Sequence, residues 1–285
     1  MIPNSIRAFI SDFHQASVNN FITVGGGSIN EAYKYSLNDT SYFLKFNNQI
    51  EGIIEKEVEA LNAIDNLNCI ATPQIICFKK LNGYEILILE FINSGIKSHQ
   101  SWENFGRQLA NMHKEPAPFY GWEENNFIGA LEQSNKPQDN FRDFFIHQRL
   151  SPQLGLAKKK NLLSRNELKL FDKLFLNLPS ILPDTKPSLV HGDLWSGNFI
   201  IGENDRPYLI DPAVHYSFRE IDLAFTHLFG GFDSTFYDSY QNQYRLEPNF
   251  NERIDLYNLY PLLVHLNLFG TGYYHSVISS LKKYV

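Results

Sequence analysis

Along the first third of the chain, short apolar runs alternate with turn residues. Phe21-Ile22-Thr23-Val24 enters Gly25-Gly26-Gly27-Ser28, and Ala32-Tyr33-Lys34-Tyr35, the turn Asn38-Asp39 and Tyr42-Phe43-Leu44-Lys45-Phe46 follow. This order predicts a strand–turn–strand meander. From Gly52 to Asp65, Ile53, Ile54, Val58, Leu61 and Ile64 recur at helical spacing, and Ile75 to Phe78 and Tyr84 to Phe91 read as two more strands around Leu81-Asn82-Gly83. The predicted unit is a small antiparallel sheet with one helix.

Past Asn93-Ser94-Gly95 the texture changes. Trp102, Phe105, Leu109 and Met112 fall on one helical face behind Ser101, read as its cap, and helical patterns dominate to the end. Tyr257 to Phe269 is apolar on every side and predicts a helix buried in the larger part of the molecule. The expected fold class is α+β with two lobes: a β-rich N-lobe over 1–92, a hinge or connector over 93–100, and a helical C-lobe over 101–285. A cleft is expected between them.

Composition narrows the functional classes. The chain has 285 residues, enough for a large core, and its 25 Lys and Arg against 31 Asp and Glu leave a net charge of −6, so no nucleic-acid partner is expected. The most apolar segment, Tyr84 to Ile92, is interrupted by Glu85 and Glu90, and no basic stretch precedes an apolar one at the N-terminus. No membrane partner is expected, and a cytoplasmic location is. Cys69 and Cys77 read as two thiols in a reducing compartment. Asn38-Asp39-Thr40 is then a chance glycosylation match, and Lys158-Lys159-Lys160 a solvated face. The nine histidines form no HExxH pattern, which gives a zinc site little support.

The densest chemistry is His191-Gly192-Asp193-Leu194-Trp195-Ser196-Gly197-Asn198, followed by Tyr208-Leu209-Ile210 and Asp211-Pro212-Ala213. This is the kinase order of a catalytic-loop Asp, an Asn further along that loop, and a metal-binding Asp beyond a short hairpin. Phosphoryl transfer needs one carboxylate facing the acceptor hydroxyl, and a carboxylate and an amide oxygen holding Mg²⁺ against the phosphates of ATP. Asp193 is the expected base, and Asn198 and Asp211 the expected metal ligands. Upstream, Gly25, Gly26, Gly27 and Ser28 offer a loop whose backbone can approach phosphates, Lys45 sits in an apolar strand, and Glu57 projects beside the buried face of its helix. A buried-edge carboxylate needs a cation, and Lys45 is the candidate. Glu90, at the end of the N-lobe next to the predicted hinge, is an expected residue of the nucleotide site. A hairpin turn, an edge lysine and a surface glutamate each explain one feature alone; the ordered set favours the kinase reading.

With Arg219-Glu220-Ile221-Asp222-Leu223-Ala224, Leu228-Phe229-Gly230-Gly231-Phe232, Asn126-Phe127-Ile128-Gly129 and His265-Leu266-Asn267-Leu268-Phe269-Gly270, these motifs resemble the fructosamine (ketosamine) kinase family over nearly the whole chain. That family has a protein-kinase-like fold and is related to the aminoglycoside phosphotransferases. The resemblance implies ATP-dependent phosphorylation of the 3-hydroxyl of a ketosamine, free or protein-bound, leading to deglycation of the amine. It also implies that Asp222 braces the catalytic loop, that His191 supports the backbone near the base, and that Trp195 walls the acceptor pocket. His215-Tyr216-Ser217-Phe218 departs from the family pattern, the segment 115–138 matches it loosely, and both are expected on the acceptor side. A kinase of another small hydroxyl compound, such as an aminoglycoside or choline, and a non-catalytic nucleotide binder are the competing readings. A monomer is favoured.

Overall fold

A computed structural model describes residues 1–25 and 29–285, so the predicted phosphate-loop residues Gly26, Gly27 and Ser28 lie outside the described residues. Helix α1 (Asn4–His14) precedes β1 (Phe21–Thr23), β2 (Glu31–Leu37) and β3 (Thr40–Asn47); α2 (Ile53–Asp65) follows, then β4 (Ile75–Leu81) and β5 (Tyr84–Glu90). The strands form one antiparallel sheet in the order β1-β2-β3-β5-β4.

Both faces of this sheet are covered. Side chains alternate across a strand, so Leu44, Phe46, Ile86 and Ile88 meet Ile2, Ile6 and Ile10 around α1, whereas Leu87 and Leu89 meet Ile53, Ile54 and Leu61 of α2. Helix α1 was not read from the sequence, although the four consecutive apolar residues Ile86 to Leu89 of β5 already required a second cover. Lys45, between Leu44 and Phe46, necessarily faces the α2 side.

Glu85 serves structure rather than interrupting a strand. Its carboxylate accepts from Gly52 N and Ile54 N, each at 3.0 Å, and caps α2, whose own N-cap residue has no side chain to do so.

The larger lobe begins with α3 (His99–Lys114). Its cap is Ser98, whose Oγ accepts from Ser101 N at 3.1 Å, while Ser101, the expected cap, is buried in the first turn and donates to Ser98 O. A hairpin of β6 (Asn126–Ile128) and β7 (Leu131–Gln133) leads to α4 (Phe141–Phe144), a π-helical stretch over Phe145–Leu150, α5 (Ser151–Lys159) and α6 (Arg165–Ile181). The strands β8 (Ser188–Val190), β9 (Phe199–Ile201), β10 (Pro207–Leu209) and β11 (His215–Ser217) form two antiparallel pairs, β8 with β11 and β9 with β10. Then come α7 (Glu220–Thr226), α8 (Ser234–Gln243), α9 (Phe250–Tyr257), α10 (Leu259–Phe269) and α11 (Tyr274–Leu281). Helix α10 is buried on most sides, as its unbroken apolar sequence predicts.

Candidate active site

The loop 191–198 joins β8 to β9, and the segment after β10 is stitched beneath it. Ala213 N donates to His191 O (2.9 Å), Ile210 N to Asn198 O (3.1 Å), and His191 Nε2 to Ile210 O (3.0 Å). That carbonyl can only accept, so His191 Nδ1 is free to accept from Asp193 N at 3.2 Å. Burial lowers the His191 pKa, consistent with a neutral ring bracing the backbone. Gly192 adopts φ +80°, and a Cβ there would stand 2.3 Å from Ala213 O, so only glycine lets the two segments close.

From α7, Asp222 accepts from His191 N (2.7 Å) and Gly192 N (2.9 Å), with His113 Nε2 at 3.2 Å. The carboxylate thus holds two consecutive amides of the loop in place.

Asp193 Oδ2 accepts from Asn198 Nδ2 at 2.7 Å, and the same nitrogen donates to Asp193 O at 2.9 Å. Asn198 Oδ1 is left without a protein partner among the described residues. Burial pushes the Asp193 carboxyl up to about 7; the charges of Asp211 and Asp222 add to this and the Asn198 hydrogen bond opposes it.

Lys45 is 6% and Glu57 9% exposed, and the ammonium donates to both carboxylate oxygens at 2.8 and 2.7 Å. It also reaches Asp211 Oδ1 at 2.5 Å. Burial alone would lower the Lys45 pKa, but Asp211 and Glu57 outweigh it and raise it. Burial alone would raise Asp211, and Lys45 outweighs that to hold its carboxyl below the usual range. Asp211 takes a left-handed backbone, φ 52°, which is strained for a non-glycine residue.

Two adjoining cavities meet on these groups, sharing Asn30, Lys45, Glu57, Trp195, Asn198 and Asp211. One, of 330 Å³, runs under the sheet between Val24, Ala32, Phe43, Leu89, Ile200 and Ile210 and includes Gly25 and Glu90. It is apolar at one end and charged at the other, where Lys45, Glu57 and Asp211 stand. The Glu90 carboxylate accepts from Gln74 N at 3.0 Å, which ties down β4. Asn30, in the glycine-loop motif, is fixed by a 2.8 Å bond from Asn47 Nδ2.

The other cavity, of 410 Å³, contains Asp193 and is walled by Ile29, Lys56, Asn126, Gly129, His265 and Phe269 among others. Of the two segments expected on the acceptor side, residues 126–130 line it. His215, Ser217 and Phe218 do not; the pairing of β11 with β8 places His215 and Ser217 on its buried face, and Phe218, just past the strand, is buried as well. Trp195 lines both cavities, and its indole folds over Gly197, where a Cβ would fall 2.3 Å from the ring.

Beneath the second cavity lies a buried polar frame that sequence reasoning missed. Asn126 Nδ2 donates to Val214 O (2.9 Å), Gln133 Nε2 to Asn126 Oδ1 (2.8 Å), and Tyr260 OH to Gln133 Oε1 (2.7 Å). Arg149, 1% exposed in the π-helical stretch, donates to Asn135 Oδ1 (2.8 Å) and Ser134 O (2.5 Å). An arginine one helical turn beyond Phe144-Phe145-Ile146 and followed by Leu150 was the available signal.

Comparison with known proteins agrees with the geometry. A Synechocystis protein named, provisionally, a ketoamine kinase is 38% identical over 263 residues, spanning 92% of this chain and 88% of its own. The chloroplastic protein-ribulosamine 3-kinase of Arabidopsis thaliana is 34% identical over 277 residues, spanning 92% and 82%. The crystal structure of a Thermobifida fusca protein named, again provisionally, fructosamine-3-kinase superposes with a TM-score of 0.89 at 28% identity over 99% of both chains. The fructosamine kinase family profile matches residues 2–285, and the chain belongs to that family.

Proposed function

We propose that this phosphotransferase moves the γ-phosphoryl group of ATP to the 3-hydroxyl of a ketosamine. The observation that carries the reading is the junction of the two cavities: the Lys45, Glu57 and Asp211 cluster stands where one ends, and Asp193 opens into the other.

In this reading, adenine occupies the apolar end of the first cavity, where Glu90 contributes through its backbone because its carboxylate is engaged with Gln74. Lys45, aimed by Glu57, neutralises the phosphates, and Gly25 lines the same cavity. Asp211 and Asn198 Oδ1 are the two hard oxygen donors suited to Mg²⁺, which when bound offsets the charge developing on the phosphates.

Asp193 faces the acceptor hydroxyl, orients it and takes its proton as the oxygen attacks phosphorus. Asn198 holds the carboxylate in position. Trp195 lies against the apolar C–H face of the sugar. The 3-phosphate then leaves as the neighbouring carbonyl enolises, and the amine is regenerated. The family's deglycation role follows from this step.

An ATP-consumption screen tests the reading, with ribulose-, erythrulose- and fructose-derived lysines set beside aminoglycosides and choline. Turnover of a ketosamine is the expected result. Turnover confined to aminoglycosides or choline would place the acceptor in another class.

A further inference from the structure

The acceptor cavity carries an aromatic wall that the phosphoryl-transfer chemistry does not use. His265 and Phe269 of α10 line it, and the Phe229 ring stands between Trp195 and His265, with centroids 6.1 and 5.0 Å apart. The His265 ring lies 5.5 Å from Phe269 and 4.9 Å from Tyr273. Phe229 is 43% and Phe269 56% exposed, and each packs against His265, so the two rings leave surface open on either side of the imidazole. Phe229 also holds a left-handed backbone at φ 57°, a strained choice for a bulky residue, and such strain concentrates at ligand sites.

The hydrogen-bonding sense of His265 is defined. Nδ1 lies 2.7 Å from Pro261 O, which can only accept, so Nδ1 carries the proton and Nε2 presents a lone pair. Burial lowers the pKa of the ring, in keeping with a neutral acceptor. The charges lining the cavity also favour a cation. Lys45 is already paired with Glu57 and Asp211, and Lys56 with Glu59 and Glu124, which leaves Asp193 as the lining charge with no cationic partner among the described residues.

We infer that Phe229, His265 and Phe269 form the subsite for the amine half of the acceptor: a protonated secondary alkylammonium lies against the open ring faces and donates one N–H to His265 Nε2. This rests on the ketosamine reading and adds to it which residues discriminate. A ring face attracts an alkylammonium more than an uncharged group of the same shape. The wall therefore distinguishes a ketosamine from a simple ketose.

The test compares two acceptors of the full chain: an N-alkyl-1-amino-1-deoxyketose, and the 1-O-alkyl ether of the same ketose, which keeps the hydroxyls and the shape but carries no charge. The wild-type chain should prefer the amine by about tenfold in kcat/KM, the size of a partly desolvated cation–π contact. Phe229→Leu with Phe269→Leu, and separately His265→Phe, should draw the ratio toward one through the KM of the amine. Phe229→Tyr with Phe269→Tyr keeps the ring faces and should retain the preference. Equal use of both acceptors by the wild type, or a ratio unmoved by the Leu and His265 substitutions, overturns the subsite while leaving the ketosamine reading standing. Phosphorylation of neither compound removes that reading and the subsite with it.

Discussion

Lys45 Nζ and Asp211 Oδ1 lie 2.5 Å apart although 166 positions separate them in the chain. With Glu57 on the other side of the ammonium, one cation from β3 joins a carboxylate of α2 to a carboxylate of the catalytic half. The pairing ties the sheet to the loop that carries the chemistry, so the N-lobe groups act together rather than singly.

Lys45 and Glu57 should therefore be non-additive. In a double-mutant cycle of Lys45→Met and Glu57→Gln, the coupling in kcat/KM is expected at roughly 0.5–3 kcal/mol. Lys45→Met should also lower the melting temperature, because it leaves Glu57 buried without its cation. Strictly additive losses would show that the pair does not act as a unit.

Asp193→Asn keeps the shape of the side chain but cannot take a proton. It should reduce kcat by about 10²–10⁴, toward the lower end because a loose transition state demands little of its base, with ATP affinity nearly intact. Asp211→Ala should instead abolish Mg²⁺-dependent nucleotide binding, measured calorimetrically. Near-normal kcat in Asp193→Asn on a verified acceptor would remove the base assignment.

Trp195 and Gly197 offer a test without touching a charged group. Trp195→Phe should raise the acceptor KM and leave the ATP KM and melting temperature close to the wild type. Gly197→Ala forces the indole to move, since the added Cβ would meet it at 2.3 Å, and should raise the acceptor KM in the same direction. A fall in melting temperature with an unchanged acceptor KM would make Trp195 a packing residue.

Asp222 predicts a combined loss. Asp222→Ala strands the His191 and Gly192 amides in a buried site, at about 1–3 kcal/mol for each unsatisfied group. Thermal denaturation should show that loss, and kcat should fall with it because the loop bearing Asp193 is no longer held. Asp222→Asn, which keeps one acceptor oxygen, should be milder on both counts. A stable Asp222→Ala enzyme with normal kcat would show that the brace is dispensable.

The alternation of Leu44, Lys45 and Phe46, the helical spacing around Glu57, and the ordered run from His191 to Asp211 are properties of neighbouring residues, and they were legible without a fold. Period two alone sends Lys45 to the face opposite its neighbours. The sheet, α2 and the buried α10 follow from patterns of the same kind. The kinase architecture and the family could be read because several such local patterns occur in a fixed order.

What tertiary structure decided are the contacts between residues far apart in the chain. Helix α1 covers a sheet face that the run of β5 demanded but did not assign, Glu85 caps α2 from 33 positions away from Gly52, and Ser98 takes the cap that Ser101 suggested. The same holds for Tyr260 reaching Gln133 across 127 positions, and for the meeting of Phe229 with Trp195 and His265. Local sequence sets which way a side chain points within its own strand or helix. Which distant group it meets depends on how whole elements pack, a cooperative outcome of burying apolar surface that no short stretch of sequence encodes by itself.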